Sequence, residues 1–475
     1  MDINNEAGYM RTRRSFIKSG TAFFSALPVF ADDALASQRD KDRARERSDP
    51  GRLLLRHGQE YAKRGRDNNI IPVLREEIFE NPHAVFILRT DLDTNKDQDG
   101  RFPAEKDWFE RTGYDTAHLL FRKGSARGGV TVIKPNFVGG WSADERSVNR
   151  GITTHPWFVA GFSGALADIG NSNIVVCAGG ASHKGFVDAG ISELMHDRGI
   201  CFVEGKYDSW DDYKKSEITW VDYPDGVVMK KIPFYRLVKD DDTLLINMAK
   251  DRIHQLGYTT LTVKNLQGIM PVGYKHICRP WSGNLQDVRS LEPSKKVIHP
   301  DFQREIERRY IRHARMNFKY WDEGGFARDY FRAGGWNAFK KGSFIPDSRI
   351  FWSEQWGQRM MDVASNIKPC LNMVEGVIGV DGAGKLHLNN YITVSRSMIE
   401  CDAVTGWLMG HDPREMPYLR IANERGLGQN NIDKIDIYEI GRNGTISRVR
   451  DYRILPRARM GVWVYRVNGA PLRFF

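Results

Sequence analysis

Short apolar runs alternate with longer amphipathic stretches through most of this 475-residue chain. The segments "AVFILR" (84–89), "VTVIK" (130–134), "NIVVC" (173–177), "ICFVE" (200–204) and "TLLIN" (243–247) have the length and β-branched content of buried strands. Between them, "HPWFVAGFSGALADIG" (155–170) and "GFVDAGISELMHDRG" (185–199) carry apolar residues at helical spacing and close on glycine. The alternation resumes late in the chain with "LNMVEGVIGV", "LNNYITVSRSMIECDAVTGWLMG" and "KIDIYEIG". Short strands separated by helices of this length predict an α/β fold, a largely parallel sheet with flanking helices. Residues 285–365 break the pattern: they are rich in Arg, Trp, Tyr and Phe and read as a helical insertion or lid whose aromatic residues pack on the core.

The same pattern divides the chain. Residues 1–36 read as a signal peptide and 37–52 as a charged linker nearly free of apolar residues. Residues 53–128 form an N-terminal region with one helix-like piece (70–79). The α/β domain comes in two parts, 129–284 and 366–441, on either side of the insertion, and 442–475 is a C-terminal tail. No sustained repeat is present.

The N-terminal segment changes the picture of where the protein works. Arg13 and Arg14 precede a modest apolar stretch, 21–31, and "ALA" at 34–36 resembles a peptidase site. The apolar stretch is far shorter than the roughly 20 residues of a membrane span. The order of charge, apolar core and small residues resembles a twin-arginine export signal. The expectation is a soluble protein, periplasmic or otherwise exported, with the twin-arginine translocase as its partner during export and no transmembrane segment in the mature chain. That route carries folded proteins and suits one loaded with a cofactor before export.

Composition adds a modest basic excess, 70 Lys+Arg against 60 Asp+Glu, a net charge of +10. This favours anionic small molecules. Nucleic acid is not expected, because no recognisable nucleic-acid module is present. Of the five cysteines, Cys177, Cys201, Cys278, Cys370 and Cys401, no two form a C-x-x-C pair, so neither an iron–sulfur cluster nor a zinc ribbon is expected. Asn95, Asp97, Asp99 and Gly100 resemble the opening of a calcium loop, but Lys106 stands where the closing carboxylate belongs, so the loop reads as a solvated acidic turn.

Groups able to do chemistry recur at strand ends, where ligands gather in open α/β sheets. Lys134 and Asn136 end one strand in "IKPNF"; Thr153 or Thr154 is placed to cap the helix that His155 and Pro156 begin. Gly179, Gly180, His183 and Lys184 follow another strand without the spacing of a dinucleotide loop. Beyond the run Leu244-Leu245-Ile246 come Asn247, Lys250, His254, Lys264, Asn265, Gly268, Lys275 and His276. Glu375 and Gly376 end a further strand, residues 381–384 form a tight turn, and Asp402 sits in an otherwise apolar helix, where a buried carboxylate needs a partner.

The ordered motifs Lys134-Pro135-Asn136, Thr154-His155-Pro156, Lys250 with His254, Lys264-Asn265 with Gly268, Asp402-Ala403 and "ANERGLG" resemble the domain of unknown function 362 family over about 129–441. The resemblance implies no particular reaction. Some relatives carry ferredoxin-like iron–sulfur segments, which the cysteine spacing here does not support.

These readings converge on a cationic pocket. Lys134, His155, Lys250, His254, Lys264 and Asp402 are the candidate catalytic groups. Asn136, Thr154, Asn247, Asn265 and His276 are the candidate ligand-binding groups. His155, His254 and Asp402 are candidates to hold a metal ion; no other cofactor is specified. Three lysines suit an anionic group, and His155, His254 or His276 suits acid–base work. The expectation is an enzyme acting on an anionic substrate, metal- or cofactor-dependent. The alternative is a protein that binds a metal, cofactor or ligand without turnover. A third reading gives the function to the basic–aromatic insertion as a contact surface.

Overall fold

The computed structural model describes residues 69–92, 105–125, 128–138, 148–178, 189–204, 217–254, 257–271, 349–382, 384–465 and 471–474. The signal-like segment, the acidic turn at 95–100, His183, Lys184, Lys275, His276, Cys278 and most of the insertion lie outside these residues.

One ten-stranded sheet organises the rest. Its strands in chain order are β1 (Val85–Arg89), β2 (Val130–Pro135), β3 (Ile174–Ala178), β4 (Cys201–Glu204), β5 (Thr243–His254), β6 (Tyr258–Thr260), β7 (Leu371–Val380), β8 (Leu386–Ser395), β9 (Ile437–Ile440) and β10 (Ile446–Arg448). They lie side by side as β10-β9-β1-β8-β7-β5-β2-β3-β4, with β6 folded back on β5. From β7 to β4 every neighbouring pair is parallel. β8 pairs antiparallel with β7 and β1, and β9 returns parallel to β1. The fold is mixed α/β, mostly parallel at its centre.

The helices used below are α1 (Glu105–Leu120), α2 (Pro156–Asp168), α3 (Ile191–Asp197), α4 (Thr262–Asn265), α5 (Arg349–Ala364), α6 (Met398–Leu408) and α7 (Pro417–Glu424). Alternation along each strand sends its side chains to opposite faces. Ile133, Val176, Ile246 and Met248 pack with Phe109 of α1, Phe158 and Phe162 of α2 and Met195 of α3. Val132, Val175 and Leu245 pack on the other face with Val263 of α4, Trp356 and Met360 of α5, Val404 of α6 and Leu419 of α7. Both faces are covered, as a parallel sheet requires. Helices α1 and α2 approach closely because glycines line their contact: a Cβ on Gly161 would sit 1.9 Å from the Glu110 carbonyl oxygen, and one on Gly113 2.1 Å from that of Phe158.

Two expectations about elements change. β5 runs on to His254, so Lys250 and His254 belong to the strand and not to a loop beyond it. The piece at 70–79 is helical only over Glu76–Phe79. Helix α5, at the end of the expected insertion, packs into the core: Trp356 and Met361 are fully buried, and Asp362 accepts the backbone N–H groups of Val227, Val228 and Met229 at 3.0, 2.7 and 2.9 Å. No helix among the described residues is long and apolar enough to cross a membrane.

Candidate functional site

The strand register places Lys134 of β2 beside Asn247 of β5, and Asn247 beside Asn372 of β7. A row of polar side chains therefore crosses three parallel strands, at the carboxyl end of β2, within the longer β5 and at the start of β7. Asn247 Nδ2 donates to Asn372 Oδ1 (3.0 Å) and to the Thr262 carbonyl (2.9 Å). Asn265 of α4 donates through Nδ2 to Asn247 Oδ1 (2.8 Å) and to the Lys134 carbonyl (2.9 Å). Lys134 Nζ donates to Asn265 Oδ1 (3.2 Å) and the Pro135 carbonyl (2.6 Å). The amides satisfy one another, which is how so polar a row stays buried. The lysine differs. It is 3% exposed, bonded to neutral oxygens, and has no carboxylate partner among the described residues. Burial pulls its pKa down to about 8, the nearby Lys264 adds to that, and Cys177 opposes it.

Asp402 of α6 does not face a lysine or histidine. Its Oδ1 accepts the Thr262 N–H (2.7 Å) and hydroxyl (2.6 Å); its Oδ2 accepts the Val263 N–H (3.1 Å) and the Tyr418 hydroxyl (3.0 Å). The carboxylate satisfies the free N–H groups at the start of α4 and so fixes the turn that carries Lys264 and Asn265. Burial raises its pKa to about 6 against these bonds.

A second polar group occupies the other face of the sheet. Lys250 Nζ donates to Glu375 Oε2 at 2.6 Å, and both side chains are buried. Glu375 Oε2 also accepts the His155 N–H (3.2 Å), and its Oε1 accepts the Val377 N–H (3.0 Å). The His155 ring stacks on Phe109, centroids 3.7 Å apart, with Nε2 3.6 Å from Glu105 Oε1. Arg150 pairs with the other oxygen of Glu105. Burial, then the charges of Lys250, Arg150 and Lys106, hold His155 well below the usual histidine range, so its ring is neutral at neutral pH. His155 is the N-cap of α2, with Pro156 in the first turn, but no side chain caps this helix. Thr154, expected as a cap, instead donates to the Met248 carbonyl (3.1 Å) and accepts the Asn136 N–H (3.0 Å). Asn136 Nδ2 donates to the Ile152 carbonyl (3.4 Å), so these two residues tie the end of β2 to β5.

His254, at the end of β5, accepts the Gly257 N–H on Nδ1 (3.2 Å) and stacks on Trp356 at 5.5 Å. Burial, then Lys264 and Arg252, keep its pKa well below the usual range. His155 thus lies among α1 residues, whereas His254 and Asp402 contact α5 and α7. Among the described residues no group of three or more His, Cys, Asp or Glu side chains is placed to hold a metal ion.

The expected residues therefore fall into two networks. Lys134, Asn247 and Asn265, with Lys264 nearby and Asp402 as support, form one; Lys250 and His155 form the other. Asn372, Asp251 and Tyr391 were not singled out by the sequence, although Asn372 stands on a strand of the right period beside the noted Glu375. A cavity of about 360 Å³ lies between α1, α2 and the start of β4, and none of the candidate residues lines it.

The fold and these networks define a mixed α/β protein with a buried, lysine-bearing polar site at the carboxyl end of β2, beside β5 and β7. Residues 131–406 match the family described as domain of unknown function (DUF362), more than half of the chain, and the chain belongs to that family. No curated protein and no solved structure matches it.

Proposed function

We propose that the protein binds an anionic small molecule at the carboxyl end of β2, beside β5, and acts on it as an enzyme, with Lys134 as counter-charge and proton-transferring group. One observation carries this reading: the Lys134 ammonium is buried among neutral oxygens, with Lys264 close by and a pKa of about 8. A buried cation without a counter-ion is costly, and a bound anion offsets that cost. A pKa near neutrality suits proton transfer. The neighbouring helix α4, braced by Asp402, carries the second lysine and fixes Asn265 as the group that orients Lys134.

The test is thermal unfolding in the presence of inorganic phosphate, pyrophosphate and citrate. At least one anion is expected to raise the melting temperature of the unaltered protein, with the effect at least tenfold weaker in concentration for Lys134→Met. Equal shifts in both proteins contradict the reading. Non-catalytic binding is the second reading. Lys250 is matched by Glu375 and both Asp402 oxygens are occupied, which leaves few free reactive groups. A ligand retained through purification and never converted favours it.

The N-terminal segment supports export of the folded chain by the twin-arginine route. Replacing Arg13 and Arg14 with lysine should hold the protein in the cytoplasm; undiminished export contradicts that assignment.

A further inference from the structure

The second network contains an imbalance that the anion site does not use. Glu375 pairs with Lys250, but the next paired position joins Val380 to Arg252, so residues 376–379 of β7 bulge out against a single residue of β5, Asp251. The register of β7 with β8 shifts at the same place. At the two glycines of the bulge, Gly376 and Gly379, no side chain fits without displacement. A Cβ on Gly376 would lie 2.1 Å from the Tyr391 ring, and one on Gly379 would lie 2.8 Å from Asp251 Oδ2. The Asp251 side chain is fully buried. Its Oδ2 accepts from Asn389 Nδ2 (2.6 Å) and the Tyr391 hydroxyl (3.1 Å). Its Oδ1 has no hydrogen-bond partner, and Lys250 Nζ stands 4.0 Å away, already donating to Glu375.

The charges facing this pocket come from every element around it. β5 supplies Lys250, β7 supplies Glu375, and β8 supplies the neutral Asn389 and Tyr391. Arg252, the next residue on β5, turns to Thr260 (3.1 Å), and Arg89, opposite Tyr391 on β1, pairs with Glu439 (3.0 Å). The segment beyond α7 contributes the uncharged Met460, 3.3 Å from Asn389. Two carboxylates thus share one ammonium, a net buried negative charge when both ionise.

We propose that Lys250, Asp251 and Glu375 form a proton-binding site, in which Asp251 Oδ1 takes a proton from solvent so that only one buried carboxylate is ionised. The proton removes the excess charge that the single ammonium leaves unbalanced. Burial pushes the Asp251 carboxyl up to about 7, Glu375 acts in the same direction, and Lys250 and the two hydrogen bonds oppose it. Loss of the proton reaches beyond the triad. Glu375 holds the His155 and Val377 N–H groups, and a Cβ on Gly151 would touch the Gly379 carbonyl carbon at 2.9 Å, so the bulge braces the turn that leads into α2. The site therefore links pH to the placement of His155. It stands apart from Lys134, whose partners do not touch it.

The sign of the linkage follows from a folded pKa above that of an unfolded aspartate, about 4. The folded state binds the extra proton between these values, so stability falls as pH rises from about 4 to about 7 and is level above. Asp251→Asn keeps the acceptor oxygen and removes the titration. Unfolding of the unaltered protein and of Asp251→Asn is measured from pH 4.5 to 9. The variant's advantage should grow up to about pH 7 and then stay constant, with the protection of the His155 and Val377 amides, corrected for the intrinsic pH dependence of exchange, falling only in the unaltered protein. A difference that does not vary with pH overturns the proposal. Should the variant fail to fold, infrared difference spectra of the unaltered protein decide: one protonated carboxyl should titrate near neutrality and move to lower pH in Glu375→Gln. No such carboxyl overturns it equally.

Discussion

At the scale of single residues, the two buried lysines are opposites. Lys250 is matched: Glu375 lies at 2.6 Å, and the ammonium holds two carboxylates apart. From sequence alone, Lys250 reads as a candidate catalytic group. The structure makes it a stabilising group. Lys250→Met leaves Asp251 and Glu375 buried without their cation and should cost about 3–5 kcal/mol. Urea unfolding checks this, and a loss below about 1 kcal/mol contradicts the assignment. Lys134 has no such partner among the described residues, and its removal should leave the fold intact. The sequence marked Lys134, Asn247 and Asn265 because they fall at strand ends beside apolar runs. It did not mark Asp251, because nothing local reveals a carboxylate that lacks a hydrogen bond. That fact depends on β7 and β8, far along the chain.

At the scale of elements, the apolar strands and α2 were legible because their side chains follow the periods of two and 3.6 residues. β5 was only half legible. Its second half, "MAKDRIH", carries charges that resemble a loop, and it remains a strand because β7 and β6 supply ladder partners and buried networks satisfy its side chains. Helix α5 was assigned to an insertion whose aromatics cover the core, and its Trp356 is such a contact on the second face. The α1–α2 contact was hidden altogether, since a glycine's close approach is visible only in three dimensions. Gly161→Ala places a methyl group 1.9 Å from the Glu110 carbonyl oxygen and should destabilise by about 1–3 kcal/mol through displacement of α1. Calorimetric unfolding reads this directly, and an unchanged melting temperature contradicts the close packing.

At the scale of the whole molecule, a basic chain of net charge +10 covers both faces of one mixed sheet and buries, near the carboxyl end of β2, a lysine without a carboxylate partner among the described residues. The expected strand-end placement fits Lys134 but not Asn247 and Lys250, which lie within β5. The α/β class was readable from the alternation of elements. The division of the polar residues into two networks was not, because it depends on which face each strand residue takes. The sharpest measurement is a pH titration of the lysine side chains by NMR on isotope-labelled protein, with and without the anion that gives the largest thermal shift. The account predicts one lysine titrating at about pH 8, absent from Lys134→Met and moved upward when the anion binds. A Lys134 that titrates in the ordinary lysine range, or one that no anion moves, contradicts it.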